Sequence, residues 1–376
     1  MRIALLGTRG VPANYGGFET FAEEVAARLA ARGHAVTVYG RAHHVPRGLR
    51  AHRGARIVVL PTLRSKHLDT VVHTFLAALH ASSERFDAVV LVNAANSPFV
   101  PFLHATGARV ALCVDGIERQ RRKWGAAGRA WYRFGERLAV RWADALVTDA
   151  EVIARYYRER YAADPAVIAY GGDFPRPSTR RTLEALGLQP GGYLLYVSRL
   201  EPENNADFVI RAFRGVETDR RLVVVGSAPY AADFVARVRR EAAEDPRVLL
   251  PGAIYGEGYR ELQTNAFAYV HATEVGGTHP ALLEGLWGSG VVATSDTPEN
   301  LEVAGDAALP YRLADEDSLR AALDRILGNE GLRAGLRERA RARILERYNW
   351  DGVVDRFEGL LSRLVDGAAL ATGGAG

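Results

Sequence analysis

What most constrains this chain is an alternation, run through twice, of short apolar segments with amphipathic helical stretches. Strands are predicted over 2–6, 35–39, 56–60, 88–92, 109–113 and 145–148, with helices over 18–31, 68–81 and 130–142 between them. Strands that are apolar along their whole length and separated by helices bury both faces, which is the signature of a doubly wound parallel sheet. Past Tyr170 the pattern lapses into Gly171, Gly172, Pro175, Pro177, Gly187 and Pro190, and 171–189 reads as a linker. The alternation then restarts, with strands predicted over 193–197, 222–225, 248–250, 268–271 and 291–293 and helices over 207–213, 230–243, 259–265 and 280–287. Two Rossmann-like α/β domains follow, 1–170 and 190–349. A last stripe of Val353, Val354, Phe357, Leu360, Leu361, Leu364 and Val365 marks one more buried helix, about 350–366, which the pattern alone assigns to neither domain. The tail, 367–376, is expected to fray.

Composition removes several function classes. Across 376 residues, 48% are apolar and 24% charged, which rules out wholesale disorder. No apolar run approaches the ~18–20 residues that span a bilayer, and the apolar start is too short for a signal peptide. Cys113 is the only cysteine, so intrachain disulfides and cysteine zinc sites are excluded, and a reducing cytoplasm is the expected compartment. Lys66 and Lys123 are the only lysines, and no Gly-Lys-Ser/Thr occurs, so there is no phosphate-binding P-loop. The positive charge is concentrated: 117–142 carry Arg119, Arg121, Arg122, Lys123, Arg129, Arg133, Arg137 and Arg141 against only Glu118 and Glu136. Such a stripe speaks of partners rather than of fold.

In open α/β sheets, ligands bind beyond the carboxyl ends of the strands. After the first strand, Gly16-Gly17 opens a helix, where free N–H groups and the positive helix end suit a phosphate; the other reading is a turn that uses glycine for its backbone freedom. A dinucleotide fingerprint is absent, since the glycines are misplaced and the second strand ends on Tyr39-Gly40-Arg41 instead of an acidic residue. In the second domain, Arg199 ends a strand and suits a diphosphate with its planar fork, or else pairs with Glu201 or Glu203. Gly276-Gly277-Thr278-His279 precedes a helix opening at Pro280, so the amides of Gly277, Thr278 and His279 are candidate anion donors, with Glu284 one turn inside to accept from sugar hydroxyls. Asp315-Glu316-Asp317 reads as helix-capping carboxylates rather than a metal motif. His43 and His44 lie in an irregular stretch without a second ligand pair and read as solvated. No metal or other cofactor is expected.

Taken together, the stretch Thr8–Thr20, Val114-Asp115-Gly116-Ile117-Glu118 with Lys123-Trp124, Tyr170-Gly171-Gly172-Asp173, Ser198–Asn205 and Gly276–Glu284 resemble the family 4 glycosyltransferases of the GT-B fold. Within that family they are similar to the branch containing bacterial cell-surface polysaccharide rhamnosyltransferases. The resemblance runs along essentially the whole chain. It implies two doubly wound Rossmann-like domains facing across a cleft, with a final helix that crosses back to the N-terminal, acceptor-side domain. It also implies a nucleotide-sugar donor held mainly by the C-terminal domain, Glu284 on the ribose, Arg199 on the diphosphate, and Gly16 and Gly17 approaching that diphosphate. Retention of configuration without a metal is implied as well, the leaving phosphate taking the acceptor proton.

Three departures from the family pattern stand out. Asn204 occupies the position of a usual lysine, Gly276 that of a usual glutamate, and Asp115 that of a frequent histidine. They point to a subgroup with a different sugar, for which a deoxy sugar such as rhamnose is the expectation. Asp115 is a candidate to orient or deprotonate the acceptor, or a turn aspartate ahead of Gly116. The stripe holding Glu118, Arg121, Arg122, Lys123 and Trp124, with Trp131, Tyr132, Phe134 and Trp142, suits an anionic membrane surface and a polyprenyl-linked or saccharide acceptor. Its other reading is a solvated arginine face with the aromatics in the core. Nucleic acid is not expected, because no recognised module accompanies the stripe. The chain is thus expected in the cytoplasm, peripheral on the inner face of the plasma membrane. Two further functions stay open: a nucleotide-sugar epimerase of the same fold, and a binding subunit without catalysis.

Overall fold

In the computed structural model, residues 1–367 are described apart from Tyr15, Arg64, Lys66, His67, Lys123 and Pro229; the expectations for Lys123 and for the tail beyond Gly367 lie outside the described residues. The chain divides into two units, Met1–Tyr170 together with the residues from Trp350 on, and Gly171–Asn349.

The first unit is built on β1 (Arg2–Leu6), α1 (Gly17–Ala31), β2 (Ala35–Arg41), β3 (Ala51–His52), β4 (Ala55–Leu60), α2 (Asp69–Ser82), β5 (Ala88–Val92), α3 (Val100–His104), β6 (Arg109–Val114), α4 (Ala126–Trp142), β7 (Ala145–Thr148), α5 (Glu151–Tyr161) and β8 (Ala166–Val167). Its sheet runs β3-β4-β2-β1-β5-β6-β7-β8 and is parallel except for β3 on β4. Strands β1 and β5 are almost wholly buried, as apolar strands covered on both faces must be.

The second unit holds α6 (Arg181–Ala185), β9 (Tyr193–Val197), α7 (Ala206–Arg214), β10 (Arg221–Val225), α8 (Ala232–Ala243), β11 (Val248–Gly252), α9 (Gly256–Asn265), β12 (Ala268–His271), α10 (Pro280–Gly288), β13 (Val292–Ser295), α11 (Pro298–Ala304), β14 (Leu309–Tyr311), α12 (Glu316–Gly328) and α13 (Glu330–Arg347). Its all-parallel sheet runs β11-β10-β9-β12-β13-β14. Asp315 caps α12 by accepting from Ser318 N at 2.9 Å, the capping role its position suggests.

The final helix, α14 (Trp350–Val365), packs in the first unit. Its apolar stripe meets α1, with the rings of Phe21 and Phe357 5.0 Å apart. Polar contacts surround that seam: Arg28 Nε to Asp351 at 3.0 Å, Arg32 to Asp355 at 2.7 Å, and His34 Nε2 to Glu358 at 2.7 Å.

The segment 171–189, read as a linker, instead folds into the second unit. Leu183 and Leu188 are buried. Thr182 N donates to Glu261 at 2.8 Å, Trp287 Nε1 donates to the Phe174 carbonyl at 2.8 Å, and Gly172 N donates to Tyr348 O at 2.7 Å. A Cβ on Gly172 would stand 2.6 Å from Leu283, so that glycine serves close packing, whereas Gly187, at φ +61°, serves backbone freedom. Among the described residues, no helix is long and apolar enough to cross a membrane.

Candidate functional site

Each sheet reverses its winding once. In the second unit β9, β10 and β11 step one way and β12, β13 and β14 the other, so the switch point lies between β9 and β12. A crevice opens at the carboxyl ends of strands at such a point because the two following loops diverge. The loops in question are Ser198–Asn205 and the run from Ala272 to Pro280, and they carry Arg199 and the Gly-Gly-Thr-His sequence.

These two loops are tied to each other. Asn205 Nδ2 donates to Ala272 O at 2.8 Å and to Glu274 Oε1 at 3.0 Å, and Glu274 N donates to Glu203 O at 2.9 Å. Asn204 is nearly fully buried and donates to the Arg199 carbonyl at 2.6 Å, a bond that Ser198 Oγ makes as well at 2.9 Å. The side chain at this position, expected from the resemblance to be a lysine, is here an amide that holds the Arg199 backbone. Behind the loop stands Gly226, with φ +155°, whose Cβ would come 1.9 Å from Ser198 O; only glycine lets the two loops approach so closely. The Arg199 guanidinium is partly exposed and 3.5 Å from Glu201. That pair exists, yet it leaves a planar cation on a fixed backbone, and a partly exposed pair of this length contributes little to stability.

On the other side of the switch point, α10 opens with Pro280 at its first position and His279 as its N-cap, with no side chain capping it. Thr278 is buried and His279 is half-buried. A Cβ on Gly276 would meet His279 Cε1 at 2.3 Å, so the glycine gives that ring its place, and neither Gly276 nor Gly277 has a positive φ. The His279 ring lies 5.0 Å from that of His271, whose imidazole burial pushes down to about 3, leaving it neutral. One turn into α10, Glu284 accepts from Tyr259 Oη at 2.5 Å, and Gln263 donates to the same hydroxyl at 2.8 Å. Burial and the Glu284 carboxylate push the Tyr259 phenol up, so it stays a donor. Tyr259 and Gln263 are one turn apart on α9, and nothing in the spacing alone marks them as the support of Glu284.

In the first unit the switch point falls between β1 and β5. Gly7, with φ +98°, passes 2.6 Å (measured from its would-be Cβ) from Val92 O, and Gly10 approaches Gly40 as closely. Gly16 is extended, φ −161°, and α1 begins at Gly17 with no side-chain cap. The turn reading for these two glycines fails, since neither has a positive φ; what they leave is an uncapped helix N-terminus. Glu19 is buried and accepts from Arg9 N at 2.9 Å. Arg41, at the end of β2, is buried and pairs with Asp69 at 2.5 Å. His43 and His44, expected to be solvated, are instead half-buried beside that pair with their rings 4.3 Å apart and tilted, and with Asp69 they bring three ligating atoms within 4.8 Å of one another. The missing partner is supplied from α2, too far along the chain for spacing to reveal. Burial with Arg9, His43 and Arg41 pushes His44 down to about 4. The same arginines disfavour a cation there.

Asp115 follows β6, with Gly116 at φ +126°, and lines a small pocket with Asn93, Ala94, Glu118, Tyr132, Glu136 and Tyr157. The turn geometry and the pocket position coexist. Two neighbours escaped sequence reasoning: Asn93, held at φ +76° after β5 with its side chain accepting from Ala95 N, and Asp149, buried after β7. Each ends a strand, which is the signal that could have found them. Burial and the carboxylates of Asp149 and Asp115 push the Cys113 thiol up, so it has no thiolate character.

Glu118 accepts from Arg121 Nε at 2.6 Å and from Trp124 Nε1 at 3.4 Å, which closes these three into one cluster, with Arg121 buried and Arg122 exposed. On α4, Tyr132 is buried but Trp131 and Phe134 are exposed, 6.0 Å apart. Placing all the stripe's aromatics in the core is therefore wrong for those two.

Comparison with known proteins gives the geometry its context. Residues 16–171 match the model of the Glycosyl transferase 4-like domain, and residues 184–343 that of the Glycosyl transferases group 1. No curated protein sequence matches. Among solved structures, sucrose-phosphate synthase from Thermosynechococcus elongatus is similar with 18% identity, 97% of this chain and 99% of that one covered, and a TM-score of 0.82. Anabaena Alr3699/HepE in complex with UDP-glucose gives 15%, 96% and 99%, and 0.80. WaaG, a glycosyltransferase involved in lipopolysaccharide biosynthesis, gives 17%, 96% and 99%, and 0.73. With both α/β units matched in chain order, the protein belongs to the group 1, family 4 glycosyltransferases of GT-B fold, enzymes that use nucleotide-sugar donors.

Proposed function

We propose that the second unit holds a nucleoside diphosphate sugar at the β9/β12 switch point, with Arg199 and the amides of Gly277, Thr278 and His279 on the diphosphate and Glu284 on the ribose. The observation that carries this is the pair of cross-tied loops that fixes Arg199 beside an uncapped helix N-terminus. During transfer the bond from the anomeric carbon to the diphosphate oxygen breaks, and a bond to the acceptor oxygen forms on the same face. The acceptor's proton passes to the leaving phosphate. Donors already aimed at the departing diphosphate stabilise its growing charge without reorganising, worth about 10²–10³ in rate for one such donor. Anabaena HepE was solved with UDP and with UDP-glucose, which supports a uridine diphosphate leaving group here.

The sugar in this reading is a deoxyhexose such as rhamnose. Asn204 spends its side chain on the Arg199 carbonyl, and Gly276 has no side chain to offer a sugar hydroxyl. In the first unit, Asp115 orients a saccharide or polyprenyl-linked acceptor while the leaving phosphate takes its proton. The reaction then belongs to cell-surface polysaccharide synthesis, as WaaG's involvement in lipopolysaccharide biosynthesis supports. The exposed Trp131 and Phe134 beside arginines support a peripheral position on an anionic membrane face.

Labelled nucleotide sugars incubated with purified protein test this reading. Donor consumption that requires an acceptor is expected. An isomerised sugar formed without acceptor, or saturable binding without turnover, defeats it. The Asp115→Asn protein, checked for folding by circular dichroism, is expected to lose most transfer activity while still binding donor.

A further inference from the structure

In the first unit, α4, α5 and the 3₁₀ turn Glu118–Gln120 border a half-open hollow of about 380 Å³ lined by Arg119, Arg133, Arg137, Tyr156, Arg160 and Tyr161. Its floor rests on a hydrogen-bonded set centred on Glu136. Glu136, 2% exposed, accepts from Tyr156 Oη at 2.8 Å and from Tyr161 Oη at 2.7 Å and lies 3.4 Å from Arg119 Nε. Arg119 in turn donates to Tyr156 Oη at 2.8 Å, with its guanidinium 5.5 Å over that ring. The Glu136 charge is thereby committed to Arg119, and the floor is neutral as a unit. The walls are different. Arg133 and Arg137 stand one turn apart on α4 and Arg160 at the end of α5, all three exposed, and among the described residues none of the three makes an ion pair. Three uncompensated guanidinium groups around a rigid, hydrogen-bonding floor match a multiply charged oxyanion of tetrahedral shape.

We propose that this cavity is a second anion site, distinct from the donor site and independent of that reading, which binds a phosphate or diphosphate group. The group could arrive on a soluble molecule or on a lipid, and the two sources share this chemistry. A hollow of about 380 Å³ is of small-molecule-site size, which leaves room beside a phosphate or diphosphate for the group that carries it.

The test is run in an Arg199→Ala background, so that binding at the donor site is not counted. Inorganic pyrophosphate is titrated calorimetrically into that protein, into one also carrying R133A/R137A/R160A, and into a charge-matched control carrying R129A/R141A/R155A. Flotation with phosphatidylcholine vesicles, with and without phosphatidic acid, forms the second arm. The pocket variant is expected to bind the probe about tenfold or more weakly while the control binds as its parent. Pocket-dependent flotation on phosphatidic acid identifies a lipid-borne group, and pyrophosphate binding without flotation a soluble one; either supports the site. Failure of the parent to bind both probes, or equal losses in pocket and control variants, overturns it. Because Arg199 is already absent, neither result bears on the donor reading.

Discussion

The two sheets reverse direction in the same way, yet their switch points are furnished differently. In the second unit the loops after β9 and β12 are stitched by amide side chains, and the stitching presents a cation, an uncapped helix start and a buttressed carboxylate. In the first unit the loop after β1 is threaded between strands through glycines, and the strong charges nearby are consumed internally by Arg41 and Asp69. Among the described residues, side chains in the second unit hold Arg199 and Glu284, whereas in the first unit Glu19 and Glu23 hold only the backbone of the loop. The first unit places its uncommitted charge elsewhere, on α4 and α5.

The contrast can be broken in order of expected effect. Arg41→Leu strands Asp69 in a buried site, and unfolding in urea should show a loss of about 3–5 kcal/mol; a loss below about 1 kcal/mol would mean the pair is not what occupies the first switch point. Arg199→Ala should instead cost little stability, because the guanidinium is partly exposed and its contact with Glu201 is long, at 3.5 Å. Its kcat/KM should fall about 10²–10³, and unchanged kinetics would remove the functional half of the comparison. Gly226→Ala probes the stitching itself: a Cβ 1.9 Å from Ser198 O at φ +155° should cost about 2–3 kcal/mol. Gly33→Ala, at φ +89° with nothing within 4 Å of its Cβ, should cost about 1 kcal/mol.

Acid should act through the buried imidazoles. Burial disfavours the charge on His271 and holds its pKa at about 3 in the folded protein, against an ordinary 6.5. The unfolded chain therefore takes up the proton first, so stability is full above about pH 6.5 and falls as pH drops toward 3. At pH 5 this histidine alone should remove about 2 kcal/mol. His73 and His44, pushed to about 4 by burial and by nearby arginines, add to the same fall from the first unit. A melting temperature that stays flat from pH 7 to pH 5 would contradict this. Smallest is Tyr259→Phe, which removes one hydrogen bond to Glu284 and should raise the donor KM with about 1 kcal/mol of lost binding.

Much of this was legible from residue order. Apolar runs such as Tyr193–Val197 fixed strands in place because no other element buries five such residues in succession. The elements that escaped were short or weakly patterned. β3 and β8 are two residues long, and β14 contains Pro310, tolerable only because it is an edge strand. α13 buries just Leu336, Ala340 and Ile344 amid its arginines, too narrow a stripe to stand out. At the site, Arg199 and the Gly276–Glu284 stretch were visible because they follow strands. Their supports were not: Asn205 meets Glu274 across 69 positions, and Tyr259 meets Glu284 across 25, separations set by topology. The same reason hid Asp69 from His43 and His44.

The most direct measurement is calorimetric titration of UDP into the wild-type protein and into its Arg199→Ala and Asp115→Asn variants. The expected result is saturable binding by the wild type, at least about tenfold weaker binding by Arg199→Ala, and unaltered binding by Asp115→Asn. Equal affinity in the wild type and Arg199→Ala would contradict the assignment of the diphosphate to the β9/β12 switch point.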